Sequence, residues 1–305
     1  MPLHPTIAGF LATLPPSDAT APNVGQWRAQ GEEHVPPLAE RLPLLSVEDS
    51  VVSFGGAQVP VRVYTSVESD TQKVLLYLHG GAFFSGSLET HDAVARSLAK
   101  ATGYRVVSVG YRLAPEHAYP AGLDDCYTTL RWIIAGDNGL EWDGKNLVLA
   151  GDSSGGTFVA ALTAKAEDEG LNQISAQVLF YPSVDLDFDE SRYPSLVENG
   201  KGYGLETIAL KPHNSFYVNS GASAADPLVS PIKRADLSGL PKALVITAEF
   251  DPLRDEGEAY AQRLKSAGVP VKLIRYDGAT HGFVQYWSWL PEFAPVFQDV
   301  ADFLG

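Results

Sequence analysis

Short runs of apolar residues alternate with helical spacings along most of the chain beyond residue 50. VVSF at 51–54 and VPVRVY at 59–64 flank two glycines, a pattern that predicts a β-hairpin. Other runs lack the polar alternation of a half-exposed strand, so we expect buried strands there. These predicted strands cover residues 73–79, 104–109, 146–151, 177–182, 242–249 and 271–276.

Helical periodicity lies between these runs. Apolar residues spaced four, three and four apart predict a helix around 123–134, and an alanine-rich stretch predicts another at 154–168. Further helices are expected at 255–267 and 293–303. Strands that alternate with helices require crossover connections, so the predicted fold class is α/β, a largely parallel sheet with helices on both faces. The opening hairpin adds an antiparallel edge.

Two regions break the alternation. Residues 1–48 are rich in proline and polar residues, and we expect short helices there that lie over the core; the alternative is an unstructured leader. Residues 183–232 carry no buried-strand signal, and a structureless loop of that length is uncommon in a compact domain. We therefore expect an insertion with a helix near 205–218. Both regions are predicted to pack as a lid over a core made of 49–182 and 233–305.

Composition and charge narrow the classes of function. Apolar residues make up 45% of the chain and charged residues 19%, which excludes a disordered protein. The 22 Lys and Arg residues against 37 Asp and Glu residues give a net charge of −15. Because nucleic acids and anionic lipids bind clustered basic residues, we expect no nucleic-acid partner and no stable membrane association.

The N-terminus and the cysteine content indicate the cellular compartment of the protein. No Lys or Arg precedes Arg28, and Pro15 and Pro16 interrupt the apolar N-terminal stretch, so no secretory signal is expected. The single cysteine, Cys126, can form neither an internal disulfide nor a Cys-based zinc site. These features predict a cytoplasmic protein.

The strongest signal for chemistry is the sequence GDSSGG at 151–156. It joins a predicted strand to a predicted helix, which is the context of the nucleophile elbow G-x-S-x-G. The central residue of this turn has a strained backbone and needs small neighbours, which Gly151 and Gly155 provide. The pattern predicts Ser153 as the nucleophile. Ser154 is a rival by residue type, but its register relative to the glycines is wrong, and the segment lacks the lysine of a phosphate loop.

A second glycine pair follows the strand predicted at 73–79. Backbone N–H groups of Gly80 and Gly81 can approach a ligand because no Cβ intervenes. With the N–H of Ser154 they are predicted to form an oxyanion hole, and the alternative is a plain tight turn. For the adjacent His79 we favour a structural role in holding the loop over a role as a base.

A serine hydroxyl needs a base to become a nucleophile. Of the seven histidines, His281 follows the last predicted strand, at the sheet edge where Ser153 is expected. The acid should also follow a strand, and Asp251 is the first carboxylate after one. Glu249 and Asp255 remain alternatives for the acid. The order serine, acid, histidine is that of α/β-hydrolases.

Five motifs along the chain form a recognisable set. They are HGGAFFSG at 79–86, YRLAPEHAYPA at 111–121, GDSSGG at 151–156, DPLRDEG at 251–257 and HGF at 281–283. With these motifs the chain resembles the hormone-sensitive-lipase-like esterases of bacteria, family IV of the lipolytic enzymes. The resemblance implies an α/β-hydrolase with an eight-stranded, mostly parallel sheet and a helical cap built from 1–48 and 183–232.

The same resemblance implies roles for single residues. Ser153 is the nucleophile, Asp251 the acid and His281 the base. The family's usual loop has a third glycine where this chain has Ala82, which keeps its N–H but restricts the backbone. The implied oxyanion donors are Gly81, Ala82 and Ser154, and Glu116, Arg112 and Asp152 are implied to support the site.

The expected activity is carboxylic ester hydrolysis through an acyl-enzyme, with a small-molecule ester as substrate. A cap over the site limits acyl length, so short- to medium-chain esters are favoured. No metal and no organic cofactor is expected, and a homodimer is compatible with the resemblance. The alternatives are hydrolysis of a lactone, a carbamate or an acetylated sugar or drug, and a non-catalytic ligand-binding protein.

Overall fold

The computed structural model describes residues 2–14, 19–67, 69–136 and 138–305. Pro15 and Pro16 lie outside the described residues. One sheet of eight strands runs through the described part in the order β1-β2-β4-β3-β5-β6-β7-β8. The strands are β1 (Ser46–Phe54), β2 (Ala57–Thr65), β3 (Asp70–Leu78), β4 (Tyr104–Val109), β5 (Leu147–Asp152), β6 (Ile174–Phe180), β7 (Lys242–Phe250) and β8 (Val271–Thr280).

The sheet is antiparallel at one edge and parallel elsewhere. β1 pairs with β2 and β2 with β4 in antiparallel fashion, whereas every neighbouring pair from β4 to β8 is parallel. This confirms the predicted α/β class, the antiparallel edge hairpin and the eight strands. β1 begins at Ser46, well before the predicted run at 51–54, because the polar, exposed residues 48–50 interrupt its apolar pattern.

Helices cover both faces of the sheet. They are α1 (Pro5–Leu11), α2 (Val24–Glu33), α3 (Asp92–Thr102), α4 (Ala121–Ala135), α5 (Ser154–Asp168), α6 (Ser195–Glu198), α7 (Thr207–Val218), α8 (Arg254–Ser266), α9 (Phe283–Tyr286) and α10 (Val296–Leu304). Alternate residues of β3 point to opposite faces: Leu76 joins the core under α4, α5 and α8, and Tyr77 joins the core under α3 and α10.

The two regions without predicted strands contain α1 and α2, and α6 and α7. Tyr217 of α7 stacks on Phe83, with ring centroids 3.8 Å apart, so the insertion lies against the loop that follows β3. Trp27 of α2 meets His213 of α7 at 5.1 Å between ring centroids. The two regions therefore touch each other, while their role as a cap stays a prediction. The proposed boundary after residue 48 falls inside β1.

Within the described ranges, no helix combines the length and the apolar character that crossing a bilayer requires.

The N-terminal helix buries one side chain completely. Ile7 is the fully buried residue of α1, whereas Leu38, in the same N-terminal region, is 72% exposed. We expect Ile7→Ala to lower the free energy of unfolding by about 2–5 kcal/mol, because it leaves a cavity. Leu38→Ala should change it by no more than about 0.5 kcal/mol. Urea unfolding of both variants tests this, and equal effects would contradict the docking of α1.

Candidate active site

The turn between β5 and α5 places Ser153 at the carboxyl edge of the sheet. Its backbone lies at φ 53° and ψ −120°, a strained conformation for a residue with a Cβ. A Cβ on Gly155 would lie 2.0 Å from the Leu78 carbonyl oxygen, and one on Gly151 would lie 2.5 Å from the Gly155 oxygen. Glycine is therefore required at both positions for the turn to sit against the end of β3.

Three side chains predicted from the sequence meet at this edge. His281 Nε2 lies 2.9 Å from Ser153 Oγ, and His281 Nδ1 lies 2.8 Å from Asp251 Oδ2. Because an ionised carboxylate only accepts, the Nδ1 proton is donated to Asp251, which leaves Nε2 to accept from the serine hydroxyl. Asp251 is fully buried, and its other oxygen accepts from the Leu253 N–H at 2.8 Å.

The two alternative acids have other partners. Glu249 Oε2 accepts from the Gly278 N–H at 2.7 Å, in the loop that leads to the histidine. Asp255 accepts from the Ser195 N–H at 2.8 Å and pairs with Arg254. These carboxylates brace the backbone around the site, and the hydrogen bond to the imidazole belongs to Asp251.

The structure also brings in two residues that sequence reasoning missed. Asn199, after α6, donates through Nδ2 to the carbonyl oxygens of Glu249 and Asp251, at 3.0 and 3.1 Å. Tyr181, with a strained φ of 33°, lays its buried ring 4.8 Å from that of His281. Nothing in the sequence marks an asparagine in a loop as part of the site. Tyr181 could have been predicted, because it directly follows a strand at the edge where the site lies.

The loop after β3 presents free backbone donors. Among the residues that the structure describes, none accepts a hydrogen bond from the N–H of Gly81, Ala82 or Ser154. The Gly80 N–H, in contrast, donates to Asp152 Oδ1 at 3.0 Å. Gly80 is therefore not available as an oxyanion donor, and its inclusion among the predicted donors is corrected. A sequence cannot reveal which way a peptide unit faces.

The rival nucleophile has a different task. Ser154 is almost fully buried, and its Oγ accepts from the Phe83 N–H at 3.3 Å. Its hydroxyl thus ties the turn to the loop after β3.

Asp152 also connects the turn that carries Ser153 to the loop after β3. It accepts from the Tyr77 hydroxyl at 2.6 Å as well as from Gly80, and its Oδ2 lies 3.6 Å from His91 Nε2. Burial alone would raise the pKa of Asp152, but His91 and Tyr77 outweigh burial and leave that pKa below its usual value. A buried carboxylate with these partners supports the site, as the resemblance implied.

His79 holds the loop. Its Nδ1 lies 2.8 Å from the Gly80 carbonyl oxygen, and the Tyr111 hydroxyl donates to the His79 carbonyl oxygen at 2.8 Å. The imidazole stacks on the Tyr111 ring at 4.2 Å. Burial, with a contribution from His91, lowers the pKa of His79 to about 3. A neutral, enclosed ring fits the structural role that we favoured.

In the described ranges, no group of three or more His, Cys, Asp or Glu side chains is arranged to hold a metal ion.

Comparison with known sequences finds enzymes that act on esters. A family model described as alpha/beta hydrolase fold matches residues 75–285. The carboxylesterase NlhH of Mycobacterium tuberculosis is 39% identical over 298 residues, which cover 95% of this chain and 91% of that protein. An arylesterase of Saccharolobus solfataricus is 34% identical over 93% of both chains. An ethyl acetate hydrolase of Pseudomonas putida is 37% identical, over 80% of this chain and 77% of that protein.

Comparison with known structures gives the same class of protein. A hyperthermophilic esterase from the archaeon Pyrobaculum calidifontis superposes with a TM-score of 0.90 at 38% identity, over 100% of this chain and 98% of that chain.

The low pKa of His79 predicts a dependence of stability on pH. Unfolded histidine takes up a proton below its usual pKa of 6.5, whereas folded His79 does so only near 3, so acidification favours unfolding between these values. From pH 7 to pH 5 the wild type should lose about 2 kcal/mol more unfolding free energy than His79→Asn. Urea unfolding at both pH values measures this difference, and an equal loss in both proteins would contradict it.

Proposed function

Because the chain belongs to the hormone-sensitive-lipase-like esterases of the α/β-hydrolase fold and is a serine carboxylester hydrolase, we propose that Ser153, Asp251 and His281 are its catalytic residues. We propose short- to medium-chain acyl esters as its substrates. The observation that carries the proposal is the unbroken hydrogen-bonded line from the buried carboxylate through the imidazole to the serine hydroxyl.

The chemistry follows from this line. Ser153 Oγ attacks the ester carbonyl carbon while His281 Nε2 takes the hydroxyl proton and then gives it to the departing alcohol. Asp251 holds the imidazole in the correct tautomer and stabilises the imidazolium ion that forms. Water attacks the acyl-enzyme in the second half-reaction, with the same histidine as base, and releases the acid. The reaction needs no further proton carrier.

The negative charge that develops on the carbonyl oxygen needs donors. We assign this role to the N–H groups of Gly81, Ala82 and Ser154, since they lie in or beside the nucleophile turn and no described residue accepts a hydrogen bond from them. Each such donor contributes roughly 3–4 kcal/mol to transition-state stabilisation. Ser154 also begins α5, so the positive end of that helix faces the developing charge.

The substrate class is inferred from the packing above the loop. Aromatic rings of α7 pack on the loop after β3: Phe216 lies against Phe84 at 5.3 Å between ring centroids, and Tyr217 stacks on Phe83. We infer that these rings limit the length of the acyl chain that the site accepts. The relative from Pseudomonas putida is named for ethyl acetate, a small ester, which supports the same preference for this chain.

The nucleophile is tested by a pair of neighbouring serines. Ser153→Ala should lower kcat for a p-nitrophenyl ester by a factor on the order of 10⁴ to 10⁶, since the attacking atom is lost. Ser154→Ala keeps its backbone N–H and removes one hydrogen bond, so kcat should fall by no more than about tenfold. An organophosphate should label wild type and Ser154→Ala, but not Ser153→Ala. Retained turnover in Ser153→Ala would overturn the assignment.

The substrate class is tested by varying the acyl chain. We expect kcat/KM for p-nitrophenyl esters to peak below eight carbons and to decline toward sixteen, because the aromatic rings around Tyr217 limit the space. Steady-state rates over this series measure the preference. A maximum at twelve carbons or more would contradict it.

A further inference from the structure

One side chain from the N-terminal region reaches the loop that carries the proposed oxyanion donors. Arg28, on α2, donates through Nε to the Phe84 carbonyl oxygen at 2.7 Å. Its Nη2 donates to the Ala114 carbonyl oxygen at 2.8 Å. Phe84 stands two residues after Ala82, so this contact is made within the loop itself.

The same guanidinium is fixed from its other side by Glu116. Nη1 and Nη2 donate to the two carboxylate oxygens at 2.9 and 2.8 Å, a bidentate pair. Hydrogen bonds from Arg28 hold the pKa of Glu116 below its usual value. Glu116 lies in the YRLAPEHAYPA motif, and its carboxylate orients the arginine fork toward the loop.

The loop needs such restraint because its backbone is strained. Gly81, Ala82 and Phe83 have φ values of 119°, 49° and 65°, and two of these three residues carry a Cβ. Non-glycine residues keep such angles only where their surroundings hold them. Phe83 is tied at its carbonyl oxygen by the Ala114 N–H at 3.0 Å, and Arg28 binds the next carbonyl oxygen as well as that of Ala114.

We propose that Arg28 is a positioning residue for ester hydrolysis. With Glu116 it holds the carbonyl groups of Phe84 and Ala114, and thereby keeps the N–H groups of Gly81 and Ala82 aimed at the oxyanion. The inference rests on the proposed function of that loop. The four hydrogen bonds use the planar fork of an arginine, which a lysine cannot reproduce.

The chain offers a matched control in Arg234. This arginine also pairs with a carboxylate in bidentate fashion, Asp168 at 2.7 and 2.8 Å, and donates to a backbone carbonyl, that of Asp236, at 2.7 Å. Asp168 ends α5, so about 20 Å of helix separate it from Ser154. Arg234→Met removes the same kind of interaction away from the site.

The experiment compares Arg28→Met and Arg28→Lys with Arg234→Met. Four quantities are measured: kcat and KM for p-nitrophenyl acetate, the inhibition constant of an alkyl trifluoromethyl ketone, and Tm. Ser153 adds to the ketone carbon, its proton passes to His281, and the charge comes to rest on the former carbonyl oxygen. The inhibition constant therefore reports oxyanion binding.

Both Arg28 variants should lower kcat by about 10- to 100-fold, because a small displacement of the donors weakens transition-state stabilisation. The inhibition constant should rise by a similar factor, with KM within about threefold of wild type. Arg234→Met should lower Tm but leave kcat and the inhibition constant unchanged. If Arg28→Met does not fold, Glu116→Gln gives the same test in milder form, with kcat and the inhibition constant affected together.

An Arg28 variant with lower Tm but with kcat and the inhibition constant within twofold of wild type would overturn the inference, because Arg28 would then only anchor α2. That result would leave the proposed function intact. Failure of the proposed function would appear instead as ester turnover by Ser153→Ala.

Discussion

The turn that carries Ser153 and the loop that follows β3 touch backbone to backbone, and the rest of the site depends on this contact. A Cβ on Gly155 would lie 2.0 Å from the Leu78 carbonyl oxygen, and a Cβ on Gly80 would lie 2.9 Å from the Asp152 carbonyl oxygen. Glycine has no Cβ to prevent this contact, so two segments far apart in the chain come close enough to bring the proposed nucleophile beside the proposed N–H donors.

Close approach alone does not orient the serine hydroxyl and the N–H groups of the loop. Polar side chains around the two segments orient them. Asp152 accepts from the Gly80 N–H, and Ser154 Oγ accepts from the Phe83 N–H. His79 Nδ1 lies within hydrogen-bond distance of the Gly80 carbonyl oxygen in the same loop. Burial keeps His79 neutral by lowering its pKa, and polar neighbours lower the pKa of Asp152. Interactions that take no part in bond making therefore stabilise the strained backbone of the elbow and of the loop.

The sequence predicts that the three proposed catalytic residues meet, because each of them follows a strand. Ser153, Asp251 and His281 come after β5, β7 and β8, and parallel strands place their carboxyl ends at one edge of the sheet. The sequence does not predict contacts between distant residues or the orientation of a peptide group. Arg28 meets a carbonyl group 56 positions away, and the direction of the Gly80 N–H is set only by the folded loop.

A crystal structure of the enzyme phosphonylated by an alkyl phosphonate ester would show which residue is the nucleophile and which N–H groups bind the oxyanion. We expect a phosphorus atom bonded to Ser153 Oγ, with its non-ester oxygen within about 3.1 Å of the N–H groups of Gly81, Ala82 and Ser154. The Gly80 N–H should still be bound to Asp152. A phosphonyl oxygen turned away from this loop, or an adduct on another residue, would contradict it.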